Sequence, residues 1–274
     1  MSKIAFMFLL YDKIKHQNLW EEFFSQDPLN KKHSIYSHPK FISNETPQWI
    51  KDSSVKTVKT DWCSENLVKA LCQMLREALK DPKNKYFALL SGECIPLYDF
   101  NKTYTKINKT KKAMMSFYKL NLFKDEKTYY ADQWIILNRK TSKDLLRLYD
   151  LKDKKAQKFV KTQRKKYFNN GAKIVGNLKF IKGRNGTWWG GCPDEIYTIG
   201  WFIELYGDPS SKKFKNNIKY TDVTFLVKGP DDNKHPYIIN QKQLKKWKKD
   251  MCSGNSIFAR KFNKTTAKLI GMKC

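Results

Sequence analysis

The sequence predicts an α/β protein with a mixed central sheet flanked by helices, and three observations predict it. Ile4–Leu10 and Tyr86–Leu90 are continuous apolar runs, the pattern of strands covered on both faces, where polar alternation is lost. Between them, Leu67, Leu71, Leu75 and Ala78 recur at helical spacing behind Ser64 and stop before Asp81-Pro82, which predicts a capped amphipathic helix. Strand, helix and buried strand in succession are the grammar of an α/β sheet. With 274 residues, no internal repeat and no low-complexity linker, residues 1–274 read as one domain with a sizeable core.

The elements follow in order. After the first strand, residues 16–24 read as a helix with Leu19, Trp20, Phe23 and Phe24 on one face. Ser34–Ser37 is a short second strand, residues 41–54 a polar loop, and Val55–Val58 a third short strand. The Ser64 helix and the Tyr86–Leu90 strand come next, then a turn at Ser91-Gly92. Ala113–Tyr118 and Trp134–Leu137 are further strands, and residues 140–150 and 153–168 read as helices, the second a basic, solvated one. Residues 183–192, rich in glycine and tryptophan, read as loop. A helix starts at Pro193 and runs to about Tyr206. Asp222–Val227 reads as a strand, residues 228–236 as a polar loop, residues 241–251 as a helix, Ser256–Phe258 as a last strand, and a closing helix starts near Lys264. A mixed sheet of this kind places its ligand crevice at the carboxyl ends of the parallel strands.

The formal net charge is +28, from 54 Lys plus Arg against 26 Asp plus Glu. Only six of the 54 are arginine. Specific nucleic-acid readers lean on the planar guanidinium fork, so lysine spread along the whole chain reads instead as the codon usage of an AT-rich genome, such as that of a parasite or a large DNA virus. Weak, salt-sensitive binding to polyanions is expected, and a specific nucleic-acid partner is not. The six cysteines form no C-x-x-C pair and the four histidines stand apart, which argues against a zinc site. Scattered cysteines without a secretion signal fit a reducing compartment. No run of 18 apolar residues occurs, and Lys3–Tyr11 is too short and lacks a cleavage site. The expectation is a cytoplasmic or soluble intracellular protein without signal peptide or membrane anchor.

Several common chemistries lack their motifs. There is no Gly-x-Gly-x-x-Gly, no P-loop and no Gly-x-Ser-x-Gly, so the usual dinucleotide, NTPase and hydrolase cradles are missing. No Asp-x-Asp triplet occurs.

Several segments, in order, resemble the core-2/I-branching glycosyltransferase family, which includes branching β-1,6-N-acetylglucosaminyltransferases, peptide O-xylosyltransferases and many plant relatives. Lys3–Leu9 and Leu19-Trp20-Glu21-Glu22-Phe23-Phe24 resemble its opening strand and leucine-tryptophan helix. Ser34–Pro39 resembles the "iyvHp" strand of plant members, and Trp62 precedes the long helix as a family tryptophan does. Leu89–Leu97 resembles "LLSesCIPL", with Cys94 where animal members often carry aspartate. Asp132-Gln133-Trp134 with Asn138-Arg139 resembles "sQWf-l-R". Cys192–Glu195 resembles the "PDE" motif, His235-Pro236 a His-Pro pair of plant members, and Ser256–Phe262 "LFARKF". The matches run from residue 3 to residue 262. The resemblance implies a GT-A-like, Rossmann-type fold, a UDP-sugar donor of N-acetylglucosamine or xylose type, a glycan or glycoprotein acceptor, inversion at the anomeric carbon, and no metal or other cofactor.

The resemblance also assigns residues. Glu195 corresponds to the catalytic base, needed because a sugar hydroxyl is a poor nucleophile until its proton is taken. Pro193, Asp194 and Glu195 are equally what a plain helix start looks like, and Asp194 is assigned there. Arg260 and Lys261 are the cations expected to stabilise a leaving diphosphate. Animal members supply an arginine within the segment matching residues 228–236, where this sequence has none, so Lys228, Lys234 and His235 stand as alternatives. Trp134 and Trp189 could stack on sugar rings or pack structurally, and Trp62 reads more as packing. Tyr11, Asp12 and His38 lie just after the first and second strands, where a nucleotide would sit. Gly92, Glu93 and Asp132 complete the expected pocket. Two other readings stay open: a basic nucleic-acid-binding protein, and an inactive member that binds sugar or nucleotide without turnover.

Overall fold

In the computed structural model the described residues are 1–62, 64–123, 126–150, 173–175, 178–182, 188–227 and 237–274. The first strand, β1 (Lys3–Leu10), lies inside a six-stranded sheet. It pairs in parallel with β2 (His33–Pro39) on one side and with β3 (Asn84–Ser91) on the other. Beyond β3 come β8 (Ile136–Asn138), antiparallel to both its neighbours, then β5 (Ala113–Met115) and β12 (Ile218–Tyr220), parallel to each other. The order is β12-β5-β8-β3-β1-β2, a mixed sheet as expected. The chain leaves β1 for β2 at the edge and then crosses back to β3 on the far side. This reversal makes the carboxyl ends of β1 and β3 a topological switch point, where open α/β sheets hold their ligands.

Successive strand side chains point to opposite faces, and both faces are covered. Ala5 and Met7 of β1 join Phe87 and Leu89 of β3 beneath α3 (Glu65–Lys80), α5 (Arg139–Tyr149) and α6 (Pro193–Tyr206). Ile4, Phe6, Phe8 and Leu10 join Tyr86, Ala88 and Leu90 against α1 (Gln17–Ser25) and α4 (Phe100–Thr110). The Trp20 ring of α1 meets Phe8 edge-on at 5.0 Å. Each such fully buried side chain contributes roughly 1.5–3 kcal/mol relative to exposure. This two-sided burial is why β1 and β3 carry no polar alternation.

A smaller sheet sets the site. β4 (Ile95–Pro96) pairs antiparallel with β14 (Phe258–Ala259), which pairs in parallel with β13 (Thr224–Phe225). Its core includes Ile95, Leu97, Ala259 and Phe262 together with Leu244 and Met251 of α8 (Gln241–Ser253) and Ala267 and Ile270 of α9 (Lys264–Ile270). Two further antiparallel units are the hairpin of β6 (Phe117–Phe123) with β7 (Glu126–Ala131), and the set of β9 (Lys173–Val175), β10 (Leu178–Lys182) and β11 (Trp188–Gly191).

Several expectations change. Val55–Val58 forms no strand; the segment is held as irregular chain, with the Val58 N–H donating to His38 Nε2 at 2.9 Å. Residues 41–54 include the helical turn α2 (Gln48–Asp52). Residues 183–192 are not all loop, because β11 pairs with β10 there. The expected Ala113–Tyr118 strand divides at Ser116, and the expected Asp222–Val227 strand narrows to β13. The structure adds α4 and α7 (Lys212–Asn217), which sequence periodicity did not show. The helix expected over residues 153–168 lies outside the described residues. Cys252 and Cys274 form a disulfide, against the expectation of unpaired thiols, because α8 and the chain terminus pack side by side. Among the described residues, no helix is long and apolar enough to cross a membrane.

Candidate active site

At the switch point, two loops meet through a glycine. A Cβ on Gly92 would lie 2.5 Å from the Lys13 carbonyl oxygen, so only glycine lets the turn after β3 approach the chain leaving β1 this closely. In that contact the Lys15 N–H donates to the Gly92 carbonyl at 2.8 Å. Two residues on, the Trp20 indole N–H donates to the Cys94 carbonyl at 2.9 Å. The Gly92-Glu93-Cys94 turn is therefore clamped on both sides, and Glu93 projects from a fixed base.

The β4–β14 register brings the other end of the chain to the same place. Ala259 pairs with Ile95 in antiparallel register, so the residues after Ala259 run back past Cys94 and Glu93. Lys261 Nζ lies 3.4 Å and an Arg260 terminal nitrogen 3.9 Å from Glu93 Oε2, while Lys15 Nζ lies 3.5 Å from Oε1. Burial alone would raise the Glu93 pKa; Lys261, Lys15 and Arg260 together outweigh it and hold the carboxyl below its usual range. The Arg260 guanidinium stacks over the Trp134 ring at 4.7 Å, a cation–π contact, and Trp134 itself is buried.

The second centre is the start of α6. Strand β11 leads directly into it, Cys192 standing at the N-cap and Pro193 in the first turn. Proline's missing N–H and fixed φ suit that position, and acidic residues there complement the helix dipole. Helix α6 packs on β7, and the Tyr130 hydroxyl donates to Glu195 Oε1 at 2.6 Å. Burial, then the Glu195 charge, raise the Tyr130 pKa, so the phenol stays a proton donor in this bond. Asp194 is buried, with Oδ1 lacking a hydrogen-bond partner among the described residues. Burial and the neighbouring Glu195 charge push its carboxyl well above the usual range. The two centres are linked: Tyr130 and Trp134 are four residues apart, a span of at most roughly 14 Å.

The model of the core-2/I-branching enzyme family matches residues 4–144. The chain belongs to the core-2/I-branching enzyme family. It is also 30% identical over 112 residues to glycosyltransferase BC10 of Oryza sativa subsp. japonica, a match covering 39% of this chain and 28% of that protein. The chain thus spans well under a third of that curated relative. Among solved structures, A197 from STIV superposes with a TM-score of 0.27 at 13% identity, over 51% of this chain and 67% of that one, too loosely to bear on the fold.

The core-2/I-branching match spans β1 to α5, and so holds Gly92, Glu93, Tyr130, Asp132 and Trp134. Glu195, Arg260 and Lys261 lie beyond it: Glu195 meets Tyr130, and the β4–β14 pairing brings Arg260 and Lys261 to Glu93 and Trp134. The other residues expected at the site divide. Tyr11 is 67% exposed on the outer lip, edge-on to Phe41 with Lys40 over both rings, and Lys40 also meets Asp61 at 3.1 Å beside the exposed Trp62. Asp12 Oδ1 accepts the Lys13 N–H at 2.7 Å, and the Asp12 carbonyl accepts from the Thr46 hydroxyl. His38 is fully buried and braces Val58, so it shapes the lip from behind. Gly92 acts by close approach. The Asp132 N–H donates to the Ser116 carbonyl at 3.1 Å. Trp189 lies in β11 opposite Ile181. Lys228, Lys234 and His235 lie outside the described residues. The motif arginine, Arg139, donates to the carbonyls of Leu79, Asp81 and Asn84, closing the end of α3 and the turn into β3. Sequence reading missed Lys15 and Tyr130. Lys15 is one lysine in a lysine-rich chain, and Tyr130 belongs to no quoted motif.

Proposed function

We propose that this chain is a glycosyltransferase that moves a sugar of N-acetylglucosamine or xylose type from a UDP-sugar to an acceptor hydroxyl on a glycan or glycoprotein, with inversion and without a metal. The reading is supported by one oriented carboxylate, Glu195, held by Tyr130, together with a cation cluster beside Trp134, four residues along the chain from Tyr130, in a chain of the core-2/I-branching family. In the proposed step Glu195 takes the acceptor proton as the acceptor oxygen bonds to the anomeric carbon. The bond from that carbon to the diphosphate oxygen breaks on the opposite face, and Arg260 and Lys261 stabilise the charge left on the nucleoside diphosphate. The Tyr130 hydroxyl supports Glu195 as a base, since a hydrogen bond donated to the ionised form favours that form. The Arg260–Trp134 stack supports a fixed cation, because a guanidinium held on one face can present its edge to phosphate.

The test is Glu195→Gln, assayed with a panel of UDP-sugars with and without EDTA. Transfer is expected to fall by roughly 10²–10⁴-fold while UDP still raises the melting temperature, and EDTA is expected to change neither. Full activity in the variant would remove Glu195 as the base, and a UDP-induced shift that needs Mn²⁺ would remove the metal-free assignment.

A further inference from the structure

We propose that Glu93 is a built-in counter-ion that competes with the donor's diphosphate for the cations of this crevice, and that Lys15 is a third cation of that diphosphate site. The proposal rests on the glycosyltransferase reading for the identity of the donor, and on the structure for the anion site itself.

Three segments remote in sequence converge on one carboxylate. Lys15 comes from the loop between β1 and α1, Glu93 from the turn after β3, and Arg260 and Lys261 from the end of β14. One negative charge faces three positive ones, so the cluster carries a surplus that a multiply charged anion would neutralise. The contacts are also loose. At 3.4, 3.5 and 3.9 Å all three exceed the roughly 2.7–2.9 Å of a tight charge-assisted hydrogen bond, and the buried Glu93 Oε2 has no hydrogen-bond partner among the described residues.

The Arg260 Nε–H is the second observation. It is buried and has no hydrogen-bond partner among the described residues, although one face of its guanidinium is packed on Trp134. Buried donors are normally satisfied, and an unsatisfied one costs about 1–3 kcal/mol. A diphosphate, with more acceptor oxygens than a carboxylate, would supply partners for Arg260, Lys261 and Lys15 together. Glu93 meets all three only at long range. It holds the three side chains in register while the crevice is empty, and its charge opposes the incoming anion.

Inorganic pyrophosphate is the probe, with binding measured by calorimetry on the wild type, Glu93→Gln, Lys15→Met and the double variant, each first checked for a cooperative melt. Glu93→Gln is expected to tighten pyrophosphate on the order of tenfold, because a partly screened like charge close to the ligand is removed. Lys15→Met is expected to weaken it, and by a larger factor in the Glu93→Gln background, where Lys15 is no longer engaged by Glu93. Unchanged or weaker pyrophosphate binding in Glu93→Gln overturns the proposal, as does a Lys15 effect that is the same in both backgrounds. If the glutamine variant does not fold, Glu93→Ala reads the same sign. Tightening without turnover of any UDP-sugar would uphold the anion site and sink the glycosyltransferase reading. Turnover by the wild type with no tightening would sink the counter-ion alone.

Discussion

Asp194 is a carboxyl 7% exposed, beside a second carboxylate, with an oxygen that finds no partner among the described residues. Burial, and then the Glu195 charge, raise its pKa in the folded state. The folded state therefore binds that proton more tightly than the unfolded chain does. The stabilisation is fully present below the unfolded value of about 3.9 and is lost as pH rises through the raised folded value. Asp194→Asn, which has no proton to lose, is expected to melt above the wild type at pH 8, with the gap closing toward pH 4. An equal gap at both pH values would show that ionisation of Asp194 is not its source. His16 acts at the other end of the scale. Burial, and then Lys15, lower its pKa to about 4, so its contribution is lost as pH falls from its ordinary 6.5 through about 4. For Tyr130 the expected signature is kinetic. Tyr130→Phe keeps the ring and removes the proton donor to Glu195, which should lower kcat about tenfold and move the acid limb of the pH–rate profile upward. An unchanged limb would leave Tyr130 as packing only.

At the scale of elements, the closest tolerance is at Gly92. The atom an added Cβ would meet at 2.5 Å is backbone, the Lys13 carbonyl oxygen, which cannot swing aside as a side chain could. Gly92→Ala is expected to destabilise by about 1–3 kcal/mol, as overpacked sites do, read as a lower urea midpoint at unchanged slope. Elements with strong local signals were legible from sequence. Helix α6 begins at Pro193 and ends at Tyr206 as its proline start predicts, and β1 and β3 follow their apolar runs. Helix α4 was not, because Asn, Thr and Lys dominate it and its buried face comes down to Phe100, Thr103 and Ile107. It is held by Asp99, whose side chain accepts the Lys102 N–H at 2.8 Å. The site divides in the same way. Glu195, Arg260 and Lys261 stood out through motif resemblance, while Tyr130 and Lys15 depend on hairpin placement and on the Gly92 contact between the loops after β1 and β3, which no local pattern records.

At the scale of the whole molecule, the C-terminal segment acts as a brace. The Met272 and Cys274 N–H groups donate to the carbonyls of Pro96 and Leu97, and the disulfide ties Cys274 back to the end of α8. With a sequence separation of 22 residues, the crosslink is expected to contribute about 3 kcal/mol. Reduction, or Cys274→Ser, should lower the melting temperature accordingly, and an unchanged melt would show that the tail's packing alone suffices. The same β4–β14 pairing bears on how the protein is made. Lys261 follows Glu93 by 168 residues, roughly 8–34 s of synthesis at about 5–20 residues per second. A ribosome-bound chain can thus complete β1, β2 and β3 well before Arg260 and Lys261 are joined to it, so Glu93 waits through most of that synthesis for the cations that will surround it.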